Sequence, residues 1–544
     1  MARLLYWPSH SPANMNPEGR PKMPYDQDRL SSDLPPSSSG AFAVARAAFQ
    51  RTAAEIPAFG NAHPSSPDAY NALSKLIMGA YLDAVDQIDA LGVPYHHNLG
   101  LALFIELHTR ACYHYFREYD RLQGLTEIAS PEEIRRSKRS FSDLIGAARR
   151  RLPNLSLGRR HEWDVAFSGT STFTWPAFRR ELAPYGIALR NGATGKPLSF
   201  PRSDVQAALL RAWVHTIHTD MARLLGVSTT AVERYGPDPV GPLLKRVAST
   251  PTLSDSIPDL LVTGTLGELR TRLTALSAMA RGVPVLTIHH GAQYMIWDEP
   301  YYELYEGFLP DYKLVYGAPV EQNEAGAFTS DTNVRGTEIQ LYSRTDKTIN
   351  RIYAPGTIEP LATLNGKSVL YLASEFESVR YGPFRDVHPS IYLSWQQQLL
   401  SWISSRTGNS PRVRLHPKRP STHFDPLGFP LDTGDLFEAI EEADVLVVDY
   451  PTTSLPMAAA TSKPVLYFDL GIRRLFPAAT AAIEDRCIVA PTDMQNPSAG
   501  FATMQANLAK ACKDTFTPLF SLAPNSGDEV ADSAKAIAHA LAIR

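Results

Sequence analysis

The sequence predicts an α/β protein made of two successive doubly wound parallel sheets. Three observations carry this. From Trp163 onward, short apolar runs ending in Gly, Ser, Thr or Pro alternate with helical periodicity. The series breaks in an irregular stretch from Tyr342 to Pro360 and restarts at Ser368. Several runs are apolar throughout rather than alternating, as strands covered on both faces should be.

The elements follow in order. Leu4 to Trp7 reads as a short first strand, and Ser31 to Gly40 as a Pro/Ser-rich loop. About 41–151 reads as a helical segment, with Ile77, Tyr81, Ile88 and Leu91, then Leu103, Leu107, Ala111 and Tyr115, near helical spacing. Asp164 to Gly169 is a strand entering a Gly/Ser/Thr turn, Phe178 to Leu182 a helix and Gly186 to Leu189 a strand. A helix over Leu209–Leu225, a strand over Asp259–Gly264, a helix over Leu266–Ala280, and strands at Pro284–His289 and Tyr312–Tyr316 complete the first series. The second has strands at Ser368–Leu372, Arg412–Leu415, Val445–Val448, Val465–Phe468 and Cys487–Ala490. It has helices at Tyr392–Ser405 and Leu455–Ala460, and closes with helices near Met504–Lys513 and Val530–Ile543. The domains expected are 1–345, including the helical segment, a linker at 346–360, and 361–544.

Composition sets bounds. A chain of 544 residues holds two or three domains with sizeable cores. The net charge of -3 argues against wholesale nucleic-acid binding. Cys112, Cys487 and Cys512 lie far apart without a CxxC, which suits a reducing cytoplasm better than a disulfide framework or zinc site. No signal peptide and no spanning segment is apparent. The basic run from Arg135 to Arg160 reads either as a solvated helix face or as a dock for anionic lipid or glycan.

Four clusters carry chemistry, each with a bland alternative. Thr452, Thr453 and Ser454 begin a helix after an apolar strand; they either cap it or, with its amides, attract phosphate oxygens. Arg414, His416 and Lys418 end a strand before and after Pro417; they are either solvated loop residues or cations for a leaving phosphate. His289 and His290 precede Gly291; His290 either fixes the loop or serves as general base on an acceptor hydroxyl. Glu268 opens a helix and either favours its dipole or offers a carboxylate to the cleft. Ser168, Thr170 and Ser171 suit acceptor hydroxyls, and Ser374 and Glu375 would line the donor side. Dinucleotide, P-loop and GxSxG signatures are missing from these turns, and adjacent histidines make a poor metal site.

The ordered set of strand–HHG, RLHPK and ADVLVVDYPTTS…KPVLYFD, within Asp259 to Asp469, resembles the GT-B glycosyltransferases of bacterial surface polysaccharide synthesis. Capsular and lipopolysaccharide Kdo transferases, HP-motif sialyltransferases and CDP-glycerol glycerophosphotransferases are the relatives it most resembles. The resemblance implies two Rossmann-like domains facing a cleft. It implies a metal-independent transferase moving Kdo or a related ulosonic or sialic acid from a CMP-activated donor, with no other cofactor. The acceptor would be a glycan or lipid-linked glycan, and the protein cytoplasmic, with peripheral contact to the inner membrane or an assembly complex. On this resemblance His416 and the Thr452–Ser454 turn bind the CMP side of the donor, and His290 sits at the reacting centre. Glu268 would be the nucleophile of a retaining enzyme. Pro451-Thr452-Thr453 stands where those enzymes often have a serine pair. A CDP-polyol phosphotransferase, a non-catalytic subunit of a polysaccharide assembly complex and a sugar-nucleotide epimerase are the alternatives.

Overall fold

The structure is a computed structural model. It describes residues 162–169, 175–197, 240–279, 281–289, 296–297, 309–316, 340–344, 351–352, 358–373, 389–415, 428–473, 475–513 and 529–542. The expected strand at Leu4–Trp7, the helical segment at 41–151, the basic run and the helix at Leu209–Leu225 lie outside these residues.

The α/β class with two parallel sheets is what the chain adopts. The first sheet contains β1 (Trp163–Ser168), β2 (Ile187–Asn191), β3 (Leu260–Thr263), β4 (Val285–Ile288), β5 (Tyr312–Tyr316) and β6 (Gln340–Arg344), in the order β2-β1-β3-β4-β5-β6. The second contains β7 (Val369–Leu372), β8 (Arg412–Arg414), β9 (Val445–Val448), β10 (Val465–Asp469) and β11 (Ile488–Pro491), in the order β11-β10-β9-β7-β8. Every strand pairing is parallel. Renumbered from its own first strand, the second sheet has the order 5-4-3-1-2, so both sheets share one winding. In each, the order reverses beside the first strand: between β1 and β3, and between β7 and β9. In open α/β sheets such a reversal marks the crevice at the carboxyl edge where ligands bind.

The strands follow their sequences. β3, β4, β7 and β9 are buried at every position, as their apolar runs require. The helices are α1 (Trp175–Leu182), α2 (Val240–Ser249), α3 (Leu269–Met279), α4 (Pro389–Thr407), α5 (Leu436–Glu442), α6 (Ser454–Ala459), α7 (Pro477–Arg486), α8 (Ser498–Asn507) and α9 (Glu529–Ala542). In the second core, Trp402 of α4 stacks on Phe501 of α8 at 5.1 Å, and both meet Phe468 of β10 edge-on. No helix among the described residues is long and apolar enough to cross a membrane.

Three readings need correction. The irregular stretch does not begin at Tyr342, because residues 340–344 add β6 in register with β5. The helix expected at Met504–Lys513 runs instead from Ser498 to Asn507. Pro497, at φ -74°, precedes its start, and Cys512 leaves the helical path to pair with Ile358. Helices α2, α5 and α7 were not anticipated. For α5 the signal was present: Asp435 accepts from the Phe437 and Glu438 amides, an N-cap.

The chain's last described helix packs on the first sheet. Ala534, Ile537, Ala540 and Leu541 of α9 join the core formed by β1 to β5 and α1, and His539 meets the Tyr342 ring at 5.6 Å.

Candidate functional site

At the second crevice, β9 delivers Asp449 immediately beyond its end. The side chain is fully buried. It accepts the Tyr371 hydroxyl at 2.5 Å, the Tyr392 hydroxyl at 2.9 Å and 3.0 Å, and the Trp395 indole N–H at 2.9 Å. Gln396 Nε2 donates in turn to the Tyr371 oxygen at 2.7 Å. Burial, followed by the field of Asp449, pushes the Tyr371 hydroxyl well above its ordinary 10.0, so it stays protonated and donating. This network anchors the start of the turn that leads to Thr452.

That turn is not a simple N-cap. Thr453, at the cap position, is in the right-handed helical region and its side chain makes no capping bond. Thr452 Oγ1 and Ser454 Oγ lie 3.1 Å apart and half-buried. The Leu455 amide bonds the Thr452 carbonyl at 3.0 Å. The Pro451 carbonyl instead accepts from Trp297 Nε1 at 2.6 Å, a side chain that belongs to the chain leaving the first sheet.

Ile296 and Trp297 extend this contact. Trp297 forms an antiparallel bridge with Leu475, and the Phe476 amide donates to the Ile296 carbonyl at 3.0 Å. Eight residue steps separate His289, just past β4, from Trp297. At the reach of an extended chain this bounds the separation of the His289 and Trp297 Cα atoms to about 29 Å. One segment therefore ties the end of β4 to the turn after β9.

The first crevice is built from the ends of β1 and β3. Ser168 pairs with Thr263 across it. Gly169, at φ +108°, has a conformation only glycine adopts freely, and a Cβ there would stand 3.1 Å from Thr271 Oγ1. Ser168 Oγ and Thr271 Oγ1 are buried without a hydrogen-bond partner among the described residues. Buried hydroxyls are usually satisfied, so this pair calls for a water or a polar ligand group.

The other expected residues divide plainly. Arg414 ends β8, where its Nη1 binds Asp432 Oδ1 at 3.0 Å and the Gly434 carbonyl at 2.6 Å, holding the following loop to the strand. Glu268 is exposed, one residue before α3, and its carbonyl receives the Arg272 amide. His289 is buried, 1% exposed, with its amide on the Leu314 carbonyl. His290, His416, Lys418, Ser374, Glu375, Thr170 and Ser171 lie outside the described residues.

Sequence reading missed Asp449, Tyr371, Tyr392 and Trp297. An acidic residue closing an apolar strand was a usable signal for Asp449. Nothing local marks Trp297, whose partners are more than 150 residues away.

No protein-family model matches the chain, and no curated protein matches it. Similar solved structures include S. aureus MnaA in a co-structure with UDP, at 14% identity, 68% of this chain and 93% of that one covered, and a TM-score of 0.33. Acinetobacter baumannii MurG shows 9% identity, with 70% and 100% covered and a TM-score of 0.32. A UDP-glucosyltransferase from Polygonum tinctorium shows 10% identity, with 71% and 99% covered and a TM-score of 0.34. Identities and TM-scores at this level assign neither a residue nor a substrate to this chain.

Proposed function

We propose that this protein is a glycosyltransferase that moves a sugar from a nucleotide-activated donor to a glycan acceptor. The observation that carries the reading is the pair of like-wound sheets whose carboxyl edges are joined by the segment from His289 to Trp297. Two switch-point crevices within reach of each other suit a reaction between two separately bound substrates. The orphaned hydroxyls of Ser168 and Thr271 support a polar occupant on the first side.

The finer terms of the proposal follow the motif resemblance. The donor is a CMP-activated Kdo or related ulosonic or sialic acid, and the acceptor a bacterial surface glycan, free or lipid-linked. The bond between the anomeric carbon and the CMP phosphate oxygen breaks, and an acceptor hydroxyl oxygen forms the new one. His290 takes the hydroxyl proton. His416, Lys418, Arg414 and the hydroxyls of Thr452, Thr453 and Ser454 receive the departing CMP, spreading its charge without a metal. Ser374 and Glu375 line the donor side, Ser168, Thr170 and Ser171 the acceptor side, and Glu268 is the nucleophile if configuration is retained. The division at 1–345 and 361–544 belongs to the same proposal, with α9 lent back to the first unit, as does work at the cytoplasmic face of the inner membrane.

A thermal-shift panel of CMP, CDP, UDP, GDP and ADP tests this, since a ligand of the folded state raises the midpoint by mass action. Selective stabilisation by cytidine nucleotides is expected. His416→Ala should weaken that binding more than His290→Ala, while His290→Ala should cost more turnover. A preference for UDP or GDP discards the CMP donor, and no shift from any of the five discards the transfer reading.

A further inference from the structure

The Trp297 contact has a chemical consequence for the turn it touches. Leu455 is in the first turn of α6, where backbone amides have no partner within the helix, and the first helical bond runs from the Met457 amide to the Thr453 carbonyl. The Leu455 amide takes the Thr452 carbonyl at 3.0 Å, and the Pro451 carbonyl is occupied by the Trp297 indole at 2.6 Å. The backbone one residue before Thr452 is thus held by the Trp297 side chain, at the base of the turn that presents Thr452, Thr453 and Ser454.

Trp297 is itself held firmly. Its ring meets Tyr450 edge-to-face at 6.4 Å. The Arg473 guanidinium lies 5.0 Å from the Trp297 ring and 5.8 Å from that of Tyr450, and Arg473 Nε donates to the Tyr450 hydroxyl at 2.9 Å. Trp297 is 5% and Arg473 7% exposed, so this cation–π arrangement is shielded from water. The backbone bridge to Leu475 and the Phe476 amide bond keep the indole from swinging away. Tyr450 joins the two halves of the arrangement: it follows Asp449, which the tyrosine and tryptophan network fixes from within the second sheet.

We infer that Trp297 is a positioning residue for nucleotide binding. It holds the Thr452–Ser454 turn in its binding form through the Pro451 carbonyl. The inference rests on the transfer reading and adds to it a role for Trp297 in shaping the donor turn. When the competent form is only a fraction of the population, apparent affinity falls by that fraction.

The test is calorimetric titration of the full chain with whichever of CMP, CDP, UDP, GDP and ADP the wild type prefers. Trp297→Phe keeps a ring and removes the N–H. Binding about tenfold weaker is expected, as when the competent fraction drops to about a tenth, with the ligand-free melting midpoint within about 2 °C of wild type. Leu541→Ala, which loosens α9 far from this turn, supplies the control: it should lower the midpoint and leave affinity alone. Should Trp297→Phe not fold, Arg473→Lys decides, since it loses the Nε bond to Tyr450 and should weaken binding about threefold. Wild-type affinity in the folded variant overturns the inference while leaving the transfer reading standing. So does an equal loss of affinity in Leu541→Ala. A wild type that binds none of the five overturns both.

Discussion

Replacing Asp449 with alanine should strongly destabilise the second sheet. The carboxylate is fully buried and accepts three side-chain donors, Tyr371 and Tyr392 hydroxyls and the Trp395 indole. Alanine strands all three where no solvent reaches. At roughly 1–3 kcal/mol for each orphaned donor the loss spans about 3–9 kcal/mol. Hydroxyl rotation and water entering the vacated space move it toward the lower end, so about 3–5 kcal/mol is expected. Asp449→Asn keeps the shape and one acceptor oxygen. Its amide nitrogen then confronts donors; a tyrosine hydroxyl can turn and accept, whereas the Trp395 N–H cannot, so about 1–3 kcal/mol should be lost. Tyr371→Phe, removing a single hydroxyl, should cost no more than Asp449→Asn. Urea unfolding followed by far-UV circular dichroism measures all three at an unchanged m-value. An alanine variant within about 1 kcal/mol of wild type, or one more stable than the asparagine variant, refutes the argument that this network pins the end of β9.

Two further outcomes follow from burial. Burial pushes the Cys487 thiol from 9.0 up to about 12. The folded state therefore holds that proton more tightly than the unfolded state. The contribution is complete below pH 9 and falls as pH rises toward 12, by about 1.4 kcal/mol per unit. Unfolding titrations between pH 8 and 11 should show this decline, reduced in Cys487→Ala; an unchanged slope in that variant rejects the assignment. For α9, Leu541 is 1% exposed in the core it shares with β1 to β5. Leu541→Ala should cost about 2–5 kcal/mol, read as a lower melting midpoint, and a midpoint equal to wild type would show that α9 does not contribute to that core.

Much of the candidate site was visible one strand end at a time. Val445 to Val448 and the hydroxyls after it are local in sequence, because a buried strand must be apolar and its exit must be polar or turn-forming. The partners of Arg414 within the fold were not visible. A strand-end arginine beside a histidine reads as a phosphate ligand, yet its Nη1 meets Asp432 and Gly434, which return to the strand only after the intervening loop. His289 was partly legible: it closes an apolar strand, and it is buried.

The sequence by itself determined the class, the strands of both series except β6, and the turns at their carboxyl edges. Those depend on periodicity and on residues within a few positions of each other. Tertiary structure decided what depends on distant partners. It chose the like winding of the two sheets, returned α9 to the first of them, and buried Asp449 among residues 54 to 78 positions away. It also brought Trp297 to the Pro451 carbonyl across 154 positions. A single indole N–H and a single proline carbonyl have no pattern along the chain. Each gains meaning only when folding removes water from both and leaves one to satisfy the other.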